Sequence, residues 1–92
     1  MRVSIVYFED CPNWKMAKER VDAALATLGR TDVAVELVRV ETAEEARRAG
    51  LHGSPTVLID GQDPFAPRDA STALACRAEG APTVDQLLDV LR

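Results

Sequence analysis

Val3-Ser4-Ile5-Val6-Tyr7-Phe8-Glu9-Asp10-Cys11-Pro12-Asn13-Trp14 is the stretch from which the rest of the chain is read. An almost unbroken apolar run, rich in β-branched and aromatic residues, ends in two acids and then delivers a cysteine. Both alternating faces of Val3 to Phe8 are apolar, apart from Ser4. That pattern suits a central strand covered on both sides. Pro12 fits the first turn of a helix, where a missing N–H costs nothing. From Asn13 to Leu28, the residues Trp14, Ala17, Val21, Ala24, Leu25 and Leu28 recur at three- and four-residue steps. Lys15, Lys18, Glu19 and Asp22 fall on the opposite face, so the spacing predicts an amphipathic helix that ends near Gly29. Cys11 therefore sits at a strand-to-helix turn.

The remaining elements follow in order. A second strand is expected at about Val33 to Val40. Thr42 with Glu45 forms a capping box for a short helix, Ala43 to Ala49, closed by Gly50. Strand, helix, strand at this spacing predicts parallel strands joined by a right-handed crossover. Leu51 to Thr56 reads as a loop and Val57 to Ile59 as a third strand. Asp60-Gly61 is a turn signal, and Gln62 to Arg68, with two prolines, reads as a longer hairpin loop. A fourth strand is expected at Thr72 to Ala78. Thr83 with Gln86 is a second capping box, opening a last helix whose Leu87, Leu88 and Leu91 face the core. The expected fold is α/β, in the order β-α-β-α-β-β-α, with a mixed four-stranded sheet flanked by helices.

Composition narrows the function classes. The chain has 92 residues, enough for one domain over 1–92 and too few for two cores. Its net charge of −4 argues against a phosphate-tracking nucleic-acid surface. No apolar segment approaches the roughly 18 residues needed to span a bilayer. The chain opens Met-Arg and runs straight into a strand, so a cytoplasmic protein without a signal peptide is expected. The two cysteines, Cys11 and Cys76, are far apart in sequence, and in a reducing compartment free thiols are expected. No Cys or His pair lies at a short metal-ligand spacing, and there is no glycine-rich phosphate loop, so neither a metal nor a cofactor is expected.

Two motifs in this element order resemble the thioredoxin-like superfamily, over nearly the whole chain. Cys11-Pro12-Asn13-Trp14 stands where that superfamily carries its reactive Cys-x-x-Cys. Gly50-Leu51-His52-Gly53-Ser54-Pro55-Thr56 resembles the loop whose proline is cis and lies against the reactive cysteine. The resemblance implies Cys11 as attacking thiol, Pro55 as cis-proline and the Ser54 backbone as a pairing edge for an extended partner. It implies nothing at position 14, where Trp14 replaces the resolving cysteine.

The chemistry has requirements of its own. A thiol attacks as thiolate, and a free cysteine near pKa ~8.5 is mostly protonated at neutral pH. A helix N-terminus favours the thiolate by about 0.3–1 kcal/mol at exposed sites, whereas Glu9 and Asp10 oppose it. Cys76 is the candidate resolving thiol; otherwise it packs as a small hydrophobe. His52 could lend charge or shuttle a proton, or face solvent as an ordinary loop residue. Trp14 could shield the thiol, offer a flat surface to a substrate, or face the core. Asp10 could be an acid partner or a solvated turn residue.

The expected function is thiol-disulfide exchange, with Cys11 as a single nucleophilic thiol forming mixed disulfides. Its partner would be a disulfide-containing protein or a low-molecular-weight thiol. One alternative is a non-catalytic interaction module. Another is a soft-metal or organomercurial-handling protein. Here Cys11, Cys76 and Asp10 are remotely similar to the cysteine–cysteine–aspartate set of organomercurial lyases.

Overall fold

The computed structural model describes residues 1–9, 11–30, 32–51, 53–65 and 81–92. Six elements run in the order β1 (Val3–Tyr7), α1 (Asn13–Thr27), β2 (Val35–Arg39), α2 (Ala43–Ala49), β3 (Thr56–Ile59) and α3 (Val84–Leu91). Among the described residues the sheet has three strands, in the order β2-β1-β3. β1 pairs parallel with β2, Val3 opposite Val35, and antiparallel with β3, Val3 opposite Ile59.

The expected four-stranded sheet is therefore corrected to a mixed three-stranded one. The hairpin after β3 does begin. Asp60 and Gly61 both adopt positive φ (52° and 84°), the geometry of a tight two-residue hairpin turn. Ile59 and Gln62 then exchange backbone hydrogen bonds of 2.8 and 3.1 Å. Among the described residues no further strand follows β3. In the stretch expected as a hairpin loop, Pro64 has no N–H to donate, and the Asp63 carboxylate accepts the Phe65 N–H at 2.9 Å. The fourth strand expected at Thr72 to Ala78 lies outside the described residues.

β1 is the central strand, and its two faces serve two cores. Val3 and Ile5 pack with Ala17, Val21, Ala24 and Leu25 of α1, Val57 of β3, and Leu87 and Leu91 of α3. Val6 packs on the other face with Val40, Ala46 of α2 and Leu51. The sheet is thus covered by α1 and α3 on one side and by α2 on the other. β2 is an edge, and its Leu37 remains 40% exposed.

Local chemistry sets the helix ends. The Thr42 hydroxyl accepts the Glu45 N–H at 3.1 Å, while the Glu45 carboxylate reaches back to the N–H of Glu41 at 3.2 Å. Glu44 and Glu45 in the first turn of α2, and Arg47 and Arg48 in the last, complement the helix dipole. Gly50 ends the helix in the left-handed region (φ 82°), where a β-carbon is disfavoured. At α3, Thr83 and Gln86 form a reciprocal capping box, with bonds of 2.9 and 3.1 Å. Among the described residues no helix is long and apolar enough to cross a membrane.

The central and edge positions predict different costs on truncation. Ile5→Ala opens a cavity in a closed core and should cost about 2–5 kcal/mol. Leu37→Ala, on the edge strand, should cost less than about 1 kcal/mol. Urea denaturation of the two variants checks the assignment, and equal costs would contradict β1 as the central strand.

Candidate functional site

The site lies where the chain leaves the C-terminal end of β1 and meets the loop that leads into β3. Phe8 to Cys11 closes as a turn, the Cys11 N–H donating to the Phe8 carbonyl at 3.2 Å. Pro12 follows in the right-handed helical region, and its carbonyl accepts the Lys15 N–H at 3.2 Å, so the backbone is committed to α1 from Pro12 onward. Neither a side-chain cap nor an acidic residue occupies the first turn of α1. Pro12 itself is exposed.

The loop from Gly53 to Thr56 is buried throughout. The Ser54–Pro55 peptide bond is cis. The Thr56 hydroxyl donates to the Gly53 carbonyl at 2.7 Å, closing the loop on itself. Ser54 then ties the two loops together. Its hydroxyl accepts the Phe8 N–H at 3.3 Å, and its carbonyl oxygen lies 3.5 Å from the Cys11 sulfur. Cys11 and Ser54 are both 0% exposed. The structure thus brings Cys11, Ser54 and Pro55 to one buried junction.

Cys11 is disulfide-bonded, so free thiols are not what the structure has at this position. Sequence spacing misleads here, because bond formation requires a Cα separation below about 7 Å, which tertiary packing alone decides. The only other cysteine of the chain is Cys76. Cys76, together with Asp10 and His52, lies outside the described residues.

Trp14 is half-buried and stacks on Tyr7, with ring centroids 4.4 Å apart and planes 22° from parallel. The Lys15 ammonium stands 5.7 Å from the Trp14 ring centroid, within cation–π range. Trp14 therefore pins the first turn of α1 to the last residue of β1. Of the two acids before Cys11, Glu9 is described, and its carboxylate pairs with Arg39 at 3.2 Å. Arg39 also bonds Glu41 at 2.8 Å.

Phe8 and Arg39 are the residues that sequence reading missed. Phe8 matters through its backbone groups, which carry no side-chain signature. Arg39 is drawn to Glu9 by the parallel register that sets Tyr7 opposite it.

Among the described residues, no group of three or more His, Cys, Asp or Glu side chains is placed to hold a metal ion. A cavity of about 300 Å³, lined by Ile59, Asp60, Gln62, Asp63, Pro64 and Val90, lies by the opposite end of β1. It belongs to the hairpin tip and not to the cysteine junction. No protein-family model, curated protein or solved structure matches the chain.

The Ser54 junction predicts a measurable contrast. Ser54→Ala removes the acceptor of the Phe8 N–H and should cost about 1–3 kcal/mol. Glu9→Gln, which breaks an exposed ion pair, should cost at most about 1 kcal/mol. Denaturation of both variants in the oxidised state tests this, and an Ser54→Ala cost no larger than that of Glu9→Gln would rule out the clamp.

Proposed function

We propose that the protein is a thiol-disulfide oxidoreductase, in which Cys11 exchanges between a disulfide with Cys76 and a thiol. The observation that supports this reading is the disulfide-bonded state of Cys11, held against the Ser54 carbonyl beside cis-Pro55 at a strand-to-helix turn. The likeness of Cys11-Pro12-Asn13-Trp14 and Gly53-Ser54-Pro55-Thr56 to the reactive motifs of the thioredoxin-like superfamily belongs to the same proposal.

In the reducing direction for the protein, a partner thiolate attacks one sulfur of the bond. The sulfur–sulfur bond breaks, and the released sulfur takes the electron pair and then a proton. A second thiol resolves the mixed disulfide, so two partner thiols become one partner disulfide while the protein gains two thiols. The reverse sequence reduces a partner's disulfide. The partner is a disulfide-containing protein or a low-molecular-weight thiol. A cytoplasmic setting is part of this reading, because a disulfide in that compartment is usually transient and catalytic or redox-sensing.

A structural staple is the competing reading, and the burial of Cys11 favours it. A redox titration separates the two. An exchange-active bond equilibrates with glutathione buffers, as do exchange proteins with potentials of about −120 to −270 mV. A staple stays oxidised until the potential falls below about −300 mV. Counting thiols by alkylation and mass spectrometry across the buffer series gives the answer. A chain that remains fully oxidised across the glutathione range defeats the exchange reading.

The exchange reading also predicts that Cys11→Ser abolishes the two-electron transition, while Trp14→Ala retains it. Trp14 acts on the geometry of the turn and carries no redox-active group. The same titration on the two variants reads this out. A transition that persists in Cys11→Ser would exclude Cys11 from the redox couple.

A further inference from the structure

β2 ends the sheet among the described residues, with β1 on one side and no strand on the other. A strand paired along one edge turns alternate N–H and C=O groups outward, a template for a further strand. Two common defences against such pairing are missing here. β2 reads Val35-Glu36-Leu37-Val38-Arg39, without proline, and its register against Val3 to Tyr7 runs unbroken, so no bulge turns the edge away. Glu36 and Leu37, at its middle, are both exposed, Leu37 by 40%.

The two faces of this edge call for different neighbours. Leu37 stands opposite Ile5, on the face covered by α1 and α3, with Val35 and Arg39 to either side. Glu36 stands opposite Ser4 and Val38 opposite Val6, on the face covered by α2. Charge along the edge is one-sided. Between positions 32 and 41 the exposed acids are Asp32, Glu36 and Glu41, against the single cation Arg39. Arg39 is already shared between Glu9 and Glu41.

We infer that the β2 edge is a docking site for an extended basic segment of another protein, in which apolar residues alternate with Lys or Arg. Its backbone adds to the sheet beside β2. Its apolar side chains fall level with Val35 and Leu37 on one face, and its cationic groups fall level with Glu36 on the other. A second copy of this chain fits less well. Antiparallel pairing of two β2 strands about Leu37 sets the two Glu36 side chains diagonal to each other on one face, and each chain carries a net charge of −4. Glu36 thus repels a like edge and admits a basic one. No cysteine takes part, so the inference is independent of the exchange function.

The probe is a capped peptide of alternating valine and lysine, about six residues long, added to the isotope-labelled full chain and followed by amide NMR. Saturable shifts should concentrate at Val35 to Arg39. An alternating valine–glutamate peptide should leave these amides unmoved, and methylating the backbone nitrogens of the basic peptide, which keeps its charge, should abolish binding. Glu36→Lys should raise the Kd roughly threefold or more. The peptide comparisons use the unaltered chain, so they decide the matter even where Glu36→Lys fails to fold. Equal binding by the methylated peptide, or shifts that avoid β2, would reveal a diffuse charge effect and overturn the inference. A dimer of the free chain in sedimentation that Leu37→Lys dissolves would also overturn it, by giving the edge to a second copy.

Discussion

Ser54 joins the two halves of the molecule that matter for its chemistry. Its hydroxyl accepts the Phe8 N–H at the end of β1, and its carbonyl faces the Cys11 sulfur across 3.5 Å. These contacts span 46 and 43 residues of sequence. A buried hydroxyl without a partner would be costly, and Ser54 escapes that cost only by meeting the strand end. The turn carrying Cys11 and the loop carrying Pro55 therefore stand or fall together. β1 supports both from below. Its Val3–Ile5 face is closed by α1 and α3, its Val6 face by α2, so the end of the strand has little freedom to drift.

What the sequence made legible is local. The capping pairs Thr42–Glu45 and Thr83–Gln86 act across three residues, and their hydrogen bonds are where the spacing places them. Gly50 ends α2 because a left-handed residue is needed there, and the apolar residues on both faces of β1 reflect burial on both sides. The Asp60-Gly61 turn was legible as well. The strand expected at Thr72 to Ala78 lies outside the described residues. For the site, the cysteine at the strand-to-helix turn and the Ser54-Pro55 loop were visible as motifs. The Ser54–Phe8 bond and the disulfide-bonded state of Cys11 were invisible, since each depends on residues distant in sequence meeting in space.

Of the two acids that precede Cys11, Glu9 is the one among the described residues. A carboxylate beside a sulfur opposes the thiolate that exchange must produce. Glu9, however, is paired with Arg39, and Arg39 shares itself with Glu41. The pair is exposed, so its worth to stability is small. Its effect is instead to draw one negative charge toward a guanidinium on the β2 edge. The first turn of α1, bare of acids and of side-chain caps, presents the positive end of the helix dipole close to Cys11.

Burial and exchange make opposite demands on a sulfur. A nucleophile needs a path to solvent, whereas a leaving group needs only somewhere to place charge and then a proton. Cys11 is fully buried, with the start of α1 next to it in the chain and the Ser54 carbonyl 3.5 Å from its sulfur. On the exchange reading, the first would favour a thiolate and the second would accept the S–H of a reduced Cys11. Enclosure also slows attack on Cys11 by small thiols in solution. On the exchange reading the internal bond re-forms in competition with them, because a neighbouring sulfur on the same chain acts at a far higher effective concentration.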